Sequence, residues 1–360
     1  MGIKNKGEEL YEKIYDSVRS VSAQLRRIRQ FKKLTNPNAL TDEQIRQVRE
    51  FYKPYRIPNM VFHKFFTEKT GVFDVRYLPQ DLYVGYIDAH FNDIRAAKYI
   101  DNKCYYDLFF HAVPQPVMLA KRMNKVWLNG KNEVISEQQL REILAQEEGG
   151  LFVKEAQTTA GGAGVSFFER VDEATWEKIK KVVSSIPTDI VIQRKLEQHS
   201  KLAELNSASV NSLRLYSVLH TDGTVKIYSA VLRVGVGDTR VDNYSSGGIS
   251  CGVTEEGTLR RYAYNKKGAK VTEHPVSGIT LEGFQVPFYD KAVALVQRTH
   301  PTIPHFRSVS WDIAIVEDGT PVLIEANLCR GGIDLLQLDN GPLYGDDTEK
   351  ILAEVFGKKQ

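Results

Sequence analysis

Ser308-Val-Ser-Trp-Asp-Ile-Ala-Ile-Val-Glu-Asp-Gly-Thr-Pro-Val-Leu-Ile-Glu-Ala-Asn327 reads as two strands around a tight turn. Asp318-Gly319 is a favoured two-residue hairpin tip. Placing it there pairs Glu317 with Thr320, and counting back along both strands sets Asp312 directly across from Glu325. Side chains alternate along a strand, so Asn327 shares the face of Glu325. The opposite face is Trp311, Ile313, Ile315, Val322, Ile324 and Ala326, which is wholly apolar. Two directly opposed carboxylates repel. A divalent cation between them removes that repulsion, and three hard oxygen ligands suit magnesium or manganese rather than zinc. A surface hairpin with scattered acids is the plainer alternative, but it leaves a Glu and an Asn inside an apolar run without a purpose.

A second chemical signal lies upstream, at residues 151–168. Leu-Phe-Val-Lys154 reads as a strand, Val165–Phe168 as another, and Gly161, Gly162 and Gly164 lie in the loop between them. Glycines let backbone N–H groups approach a ligand closely. The loop joins two strands and lacks Gly-Lys-Ser/Thr, so it is neither a Walker loop nor a dinucleotide fingerprint. A flap over nucleotide phosphates fits better, with Lys154 reaching in as a point charge. The protein-kinase pattern fails too: the lysine precedes the loop, and no His-Arg-Asp or Asp-Phe-Gly follows.

Asp222-Gly223 marks another tight turn, between the stretch Ser209–His220 and a strand that runs through Ala230–Val234. The same counting sets Ser212 opposite Arg233, which makes Arg214 and Arg233 diagonal neighbours on one face. Converging like charges await an anion.

Around these segments the chain is ordinary. It has 360 residues, 42% hydrophobic and 26% charged, enough for two or three packed subdomains. A net charge of +3 gives no whole-molecule case for nucleic acid. No apolar run approaches the roughly 18 residues of a membrane span, and the N-terminus lacks a signal-peptide core. Cys104, Cys251 and Cys329 have no CxxC spacing, and an odd, sparse count fits a reducing cytoplasm. His63, His90, His111, His220, His274, His300 and His305 have no metal-like or triad-like spacing and read as structural.

Residues 8–34 are expected to form one amphipathic helix, with Leu10, Ile14, Val18, Val21, Leu25, Ile28 and Phe31 as its stripe. Its basic residues (Arg19, Arg26, Arg27, Arg29, Lys32 and Lys33), crowded into the second half, read as a solvated face, or as a weak peripheral contact to an anionic membrane. A second short helix is expected to open at the Thr41–Gln44 capping box, with further helices at 60–69, 88–100, 136–146, 172–186 and 290–299, and an Asn129-Gly130 hairpin joins 126–128 to 133–135. The expected architecture is α+β, with a helical region over 1–100 and β-rich lobes over 101–200 and 201–360.

Together these segments resemble the ATP-grasp superfamily, and most closely its sugar-transfer-associated family, over roughly residues 50–345. The resemblance rests on Asp-Asn-Lys103, Val153-Lys154 with the glycine loop, Val191-Ile-Gln193-Arg-Lys-Leu-Glu-Gln-His199 and Val210-Asn-Ser-Leu-Arg214. It also rests on Val241-Asp-Asn243 with Gly247-Gly248, Trp311-Asp312 and Ile324-Glu-Ala-Asn327.

The resemblance implies an ATP-grasp fold, two β-rich lobes enclosing ATP. Lys103 and Lys154 would contact phosphates, and Gln193 to Leu196 would be the adenine hinge, with the Leu196 backbone as partner. Gln193 stands where many relatives have a glutamate; Glu197 and His199 are further nucleotide candidates. Asp312, Glu325 and Asn327 would hold Mg²⁺, or Mn²⁺. Arg214 and Arg233 would face the transferring phosphoryl group, and Asp242, Asn243, Gly247 and Gly248 would line the acceptor side. The implied enzyme is a cytoplasmic ligase. It joins a small-molecule or sugar-linked carboxylate to an amine through an acyl phosphate, in surface or capsular polysaccharide synthesis. A phosphotransferase acting on a hydroxyl and a non-catalytic glycan- or nucleotide-binding protein are the alternatives.

Overall fold

The computed structural model describes residues 24–157, 164–237 and 247–357. The chain divides into two compact units. One comprises the described residues as far as Phe91 together with those from Arg330 onward; the other is Asn92–Cys329.

The first unit is helical. Residues 24–34 form a helix, as expected; the expected start over 8–23 lies outside the described residues. Helix Asp42–Tyr52 opens on a capping box, in which Thr41 and Gln44 satisfy each other's backbone N–H groups. Helix Val61–Thr70 ends at Gly71 with φ 80°. Aromatic residues build the interior, including Tyr52, Phe62, Phe65, Phe66 and Tyr77. Gln337, on helix Asp334–Asn340, accepts from Leu78 N–H (2.7 Å) and donates to Leu78 C=O (2.8 Å), which satisfies a buried peptide at both ends.

The second unit holds two antiparallel sheets. The smaller has the order β2-β1-β5-β3-β4, with β1 Met118–Met123, β2 Val126–Asn129, β3 Leu151–Glu155, β4 Val165–Phe168 and β5 Ile190–Arg194. One face packs Leu151, Val153, Ile190 and Ile192 against Leu140 and Leu144 of helix Glu137–Ala145 and against Trp176 and Ile179 of helix Glu173–Ser185. The hairpin expected at Asn129-Gly130 forms around Leu128 and Val134, with Asn129 N–H bonded to Glu133 C=O (2.9 Å) and Ile135 N–H to Trp127 C=O (3.0 Å), but its turn has three residues, 130–132. The main hairpin is β1–β2, turned at Asn124 and Lys125, both at positive φ (46° and 71°). The helix expected at 88–100 is interrupted at Asn92, and Asp93 caps a new start at Ile94.

The larger sheet runs β10-β9-β8-β7-β6-β11-β12. Its strands are β6 Ser212–Leu219, β7 Val225–Val234, β8 Ile249–Val253, β9 Leu259–Tyr264, β10 Lys270–Val271, β11 Ser308–Ile315 and β12 Pro321–Asn327. Leu213, Leu215, Leu232, Trp311 and Ile313 share one buried core with Ala292, Leu295 and Val296 of helix Tyr289–Thr299. The other face carries Arg214, Arg233, Ser310 and Asp312 among buried apolar residues such as Val231 and Ala314.

Two hairpins of this sheet reach their expected register by an unexpected route. In β11–β12 the tip is a three-residue loop: Val316 N–H bonds Thr320 C=O (3.1 Å) and Gly319 N–H bonds Val316 C=O (2.9 Å), with Gly319 at φ 79°. That slips the pairing by one. A bulge at Ile324 slips it back, so Ile313 faces Leu323 but Asp312 still faces Glu325. The bulge also corrects the expected core face, because Leu323, not Ile324, joins the core and Ile324 is only half-buried. In β6–β7 the loop Thr221–Gly223 and a bulge at Tyr228 do the same, and Ser212 faces Arg233.

Candidate active site

Strand β6 pairs with β11 as well as with β7, and Arg214 stands directly across from Asp312. Arg214 forks onto the carboxylate, Nε to Oδ1 at 2.7 Å and Nη2 to Oδ2 at 2.8 Å. Arg233 adds Nη1 to Oδ2 at 3.0 Å. The anion that the two arginines converge on is therefore a neighbouring side chain. Local spacing carries no sign of this, because β6 and β11 lie almost a hundred residues apart (|i−j| = 98 for the pair). Burial alone would push the Asp312 carboxyl up, but Arg214 and Arg233 outweigh it and hold it below the ordinary carboxylate range. Asp312 stays ionised.

Glu325 is met by a different cation. Lys103 Nζ donates to Glu325 Oε1 at 2.6 Å. Lys103 opens a short helical segment, Lys103–Tyr105, capped by Asn102, and its backbone N–H bonds Ala156 C=O (2.9 Å), just past β3. Asn327 lies on the same face, opposite Ser310, and its amide helps hold Asp312 ionised. Two carboxylates and an amide thus share one face of a hairpin within reach of Lys103, Arg214 and Arg233. Among the described residues no group of three His, Cys, Asp or Glu side chains forms a metal site; the candidate set here has only two carboxylates. Its hard-oxygen chemistry fits Mg²⁺.

Lys154 projects from β3, 3.4 Å from Gln193 Oε1 and over the Phe152 ring. Gln193, on β5, is buried opposite Phe152. Among the described residues nothing hydrogen-bonds the Leu196 backbone, which leaves it available to a ligand edge. His199 is placed otherwise: its Nδ1 accepts from Lys201 N–H and caps helix Ser200–Ala203, and its ring meets Phe288. Glu197 is exposed. Gly164 (φ 80°) enters β4 and Gly247 (φ 98°) precedes β8 with Gly248. Gly161, Gly162, Asp242 and Asn243 lie outside the described residues.

Sequence reading missed Tyr106. Its buried hydroxyl accepts from Ala326 N–H at 3.0 Å, between Glu325 and Asn327 on β12. Burial, with Glu325 and Asp101 nearby, raises its pKa well above the ordinary phenol value. Tyr106 follows Lys103 by one helical turn, and that spacing was the available signal. Lys121 was missed too; it is buried and bonds Cys104 C=O (2.6 Å) and Asp107 (2.9 Å), which fixes the segment that carries Lys103.

A model of the sugar-transfer-associated ATP-grasp family matches residues 85–351. No curated protein matches the chain significantly. Among solved structures, the chain is similar to D-cycloserine synthetase DcsG, with 13% identity over 72% of this chain and 73% of that one, at a TM-score of 0.44. It is also similar to D-alanine–D-alanine ligase from Bacillus anthracis, with 12% identity over 73% and 69%, at a TM-score of 0.40. The family match spans most of the sequence and includes Lys103, Lys154, Arg214, Asp312, Glu325 and Asn327, and the chain belongs to the sugar-transfer-associated ATP-grasp family.

Proposed function

We propose that the protein is a cytoplasmic, magnesium- and ATP-dependent ligase that joins a carboxylate to an amine, in the assembly of a surface or capsular polysaccharide. The supporting observation is the ionised Asp312, gripped by Arg214 and Arg233 beside the Lys103–Glu325 pair. In this reading ATP is a substrate and leaves as ADP and phosphate. Bound Mg²⁺ supplies charge neutralisation at the phosphoryl oxygens.

The chain's own groups divide the remaining work. Asp312, Glu325 and Asn327 hold the metal. Lys103 and Lys154 hold phosphates, and Gln193 to Leu196 position the base. The fork by which Arg214 holds Asp312 is the geometry that recognises any two-oxygen anion edge, a carboxylate or a phosphoryl face. Asp312 occupies that fork in this structure, so Arg214 and Arg233 would orient the reacting carboxylate and the phosphoryl group it accepts once Asp312 turns to the metal. A carboxylate oxygen attacks the γ-phosphorus and ADP leaves. The amine nitrogen then attacks the acyl carbon, the C–O bond breaks with its electron pair going to phosphate, the nitrogen gives up a proton to the departing phosphate, and an amide remains.

Hydroxylamine trapping tests this directly. Protein, Mg-ATP, hydroxylamine and a panel of uronic acids and amino acids are incubated, and hydroxamate and ADP are both measured. Matched hydroxamate and ADP support the ligase and name the carboxylate. ADP with a phosphorylated alcohol and no hydroxamate replaces it with phosphotransfer to a hydroxyl. Failure to bind Mg-ATP removes both and leaves a non-catalytic glycan-binding protein.

A further inference from the structure

Residues 257–272 carry five cations, Arg260, Arg261, Lys266, Lys267 and Lys270, and no acid. Five exceeds the net charge of the whole chain, +3, so the remainder is net acidic and this segment is a concentrated positive field. All five side chains belong to exposed residues. Arg261, Lys266, Lys267 and Lys270 form no ion pair among the described residues.

The segment is β9, its turn and β10, at one edge of the large sheet. Lys270 is directly opposite Tyr264, Tyr264 opposite Ser250, and Ser250 opposite Arg233. Opposed residues share a face, so Lys270 lies on the Arg233 face three strands away, about 14 Å at the usual strand spacing. Ser250 and Tyr264 are buried, which leaves the exposed contacts to the hairpin. There Tyr262 is half-exposed, with Lys270 Nζ 4.7 Å and Arg261 Cζ 5.3 Å from its ring centre. Sheet edges carry lysine to block pairing with other chains. That purpose accounts for Lys270 on the edge strand. β10 pairs only with Ala263 and Tyr264, so Arg260 and Arg261 also lie where β9 has no β10 partner, and what edge protection leaves unexplained is Lys266 and Lys267 in the turn.

We infer that this hairpin is a platform for the far end of an extended acidic saccharide whose reacting carboxylate sits at Arg214 and Arg233. The inference rests on the ligase reading and narrows its substrate. The cations match a chain of negative charges, and Tyr262 offers a ring on which sugar C–H groups stack. The distance from Arg233 makes the ligand longer than one sugar acid.

Binding is measured by calorimetry with the full chain and no nucleotide, so the result does not depend on turnover. The probes are a short oligogalacturonate, galacturonic acid, a neutral maltooligosaccharide of matching length and a single-stranded oligonucleotide. The oligogalacturonate is expected to bind, with an affinity that falls as salt rises, and to do so at least tenfold more tightly than the other three. The double variant Lys267→Gln/Lys270→Gln is expected to weaken that binding about thirtyfold, since each of the two cations contributes on the order of 1 kcal/mol and about 1.36 kcal/mol is a factor of ten. Unchanged binding in the double variant overturns the platform. Oligonucleotide binding as tight as that of the oligogalacturonate also overturns it and reassigns the patch to nucleic acid. Loss of hydroxamate formation with oligogalacturonate binding intact would remove the ligase reading instead.

Discussion

Lys103 reaches Glu325 at 2.6 Å across 222 residues of chain, and that contact links the segment beside the small sheet to the carboxylate hairpin of the large one. One turn further on, Tyr106 holds the next peptide, through Ala326 N–H. Strand β12, which carries the candidate ligands Glu325 and Asn327, is thus gripped twice from one short segment, once by charge and once through its backbone. Asp312, on β11, is held from the other side by Arg214 and Arg233. Each candidate metal ligand with a charge already has a cation to balance it.

Glu325→Ala is therefore expected to abolish ligase turnover while the protein stays folded. The Glu325 side chain is 20% exposed and that of Lys103 only 10%, so the unpaired amine costs stability, but less than a fully buried pair would. Removing one electrostatic stabiliser of a transferring phosphoryl group costs on the order of 10²–10³-fold in rate. Hydroxamate and ADP formation are compared with the thermal midpoint. Wild-type turnover in the variant would remove Glu325 from the metal set.

Asp312→Ala is expected to fail differently. Asp312 and Arg233 are both buried, and deletion of the carboxylate leaves two guanidinium groups facing each other. Breaking a buried pair from one side costs about 3–5 kcal/mol. Urea unfolding at neutral pH should show that loss, and added phosphate should recover part of it by taking the vacated anion position. A variant as stable as wild type would mean that the arginines are solvated or paired elsewhere.

The site was legible where it depended on alternation and turns, and illegible where it depended on sheet order. Asp312 opposite Glu325 and Ser212 opposite Arg233 follow from two Asp-Gly turns and a period of two. Both pairings hold only because a three-residue tip and a bulge, at Ile324 in one hairpin and Tyr228 in the other, displace the register in opposite senses. No local feature of Leu323-Ile324 announces the bulge, and the strict alternation put the wrong one of the two in the core. The Arg214–Asp312 fork was hidden for another reason. It requires β6 and β11 to be neighbours, a fact of tertiary packing that hydrophobic period does not encode. The Lys103–Glu325 contact depends on tertiary packing in the same way, whereas the helical spacing from Lys103 to Tyr106 is present in the sequence.

The two Asp-Gly turns separate backbone strain from crowding. Gly319 (φ 79°) and Gly223 (φ 85°) occupy the same conformation, costly for any residue with a Cβ. A Cβ on Gly223 meets nothing within 4 Å, but one on Gly319 lies 2.5 Å from the Phe288 ring. Gly223→Ala is expected to cost about 1 kcal/mol. Gly319→Ala is expected to cost about 1–3 kcal/mol more, because an overpacked ring must shift. That shift disturbs the hairpin that carries Asp312 and Glu325, so Gly319→Ala should also raise the magnesium concentration needed for half-maximal activity. Equal unfolding midpoints for the two variants would show that Phe288 moves aside freely.

Two buried histidines set the acid limit of the fold. His300 Nε2 donates to Phe306 C=O (2.7 Å) and its Nδ1 lies 2.8 Å from Ser217 Oγ, which in turn accepts from Trp311 Nε1. A carbonyl only accepts, so Nε2 carries the proton, and Nδ1 accepts from the hydroxyl in the neutral ring. His63 Nε2 likewise donates to Val75 C=O (3.1 Å). Burial pushes both imidazoles down from 6.5 to about 4, outweighing those carbonyl contacts, which favour the charged form. Between those values the unfolded chain binds protons that the folded chain refuses, so stability is full above about pH 6.5 and falls as pH drops towards about 4. Each ring contributes on the order of 3 kcal/mol to that loss, at 1.36 kcal/mol per unit. Urea midpoints taken from about pH 7.5 to about pH 4.5 are expected to fall steadily below about 6.5. Midpoints unchanged over that range would mean that both rings reach water, or a carboxylate, in the folded protein and protonate there as they do in the unfolded chain.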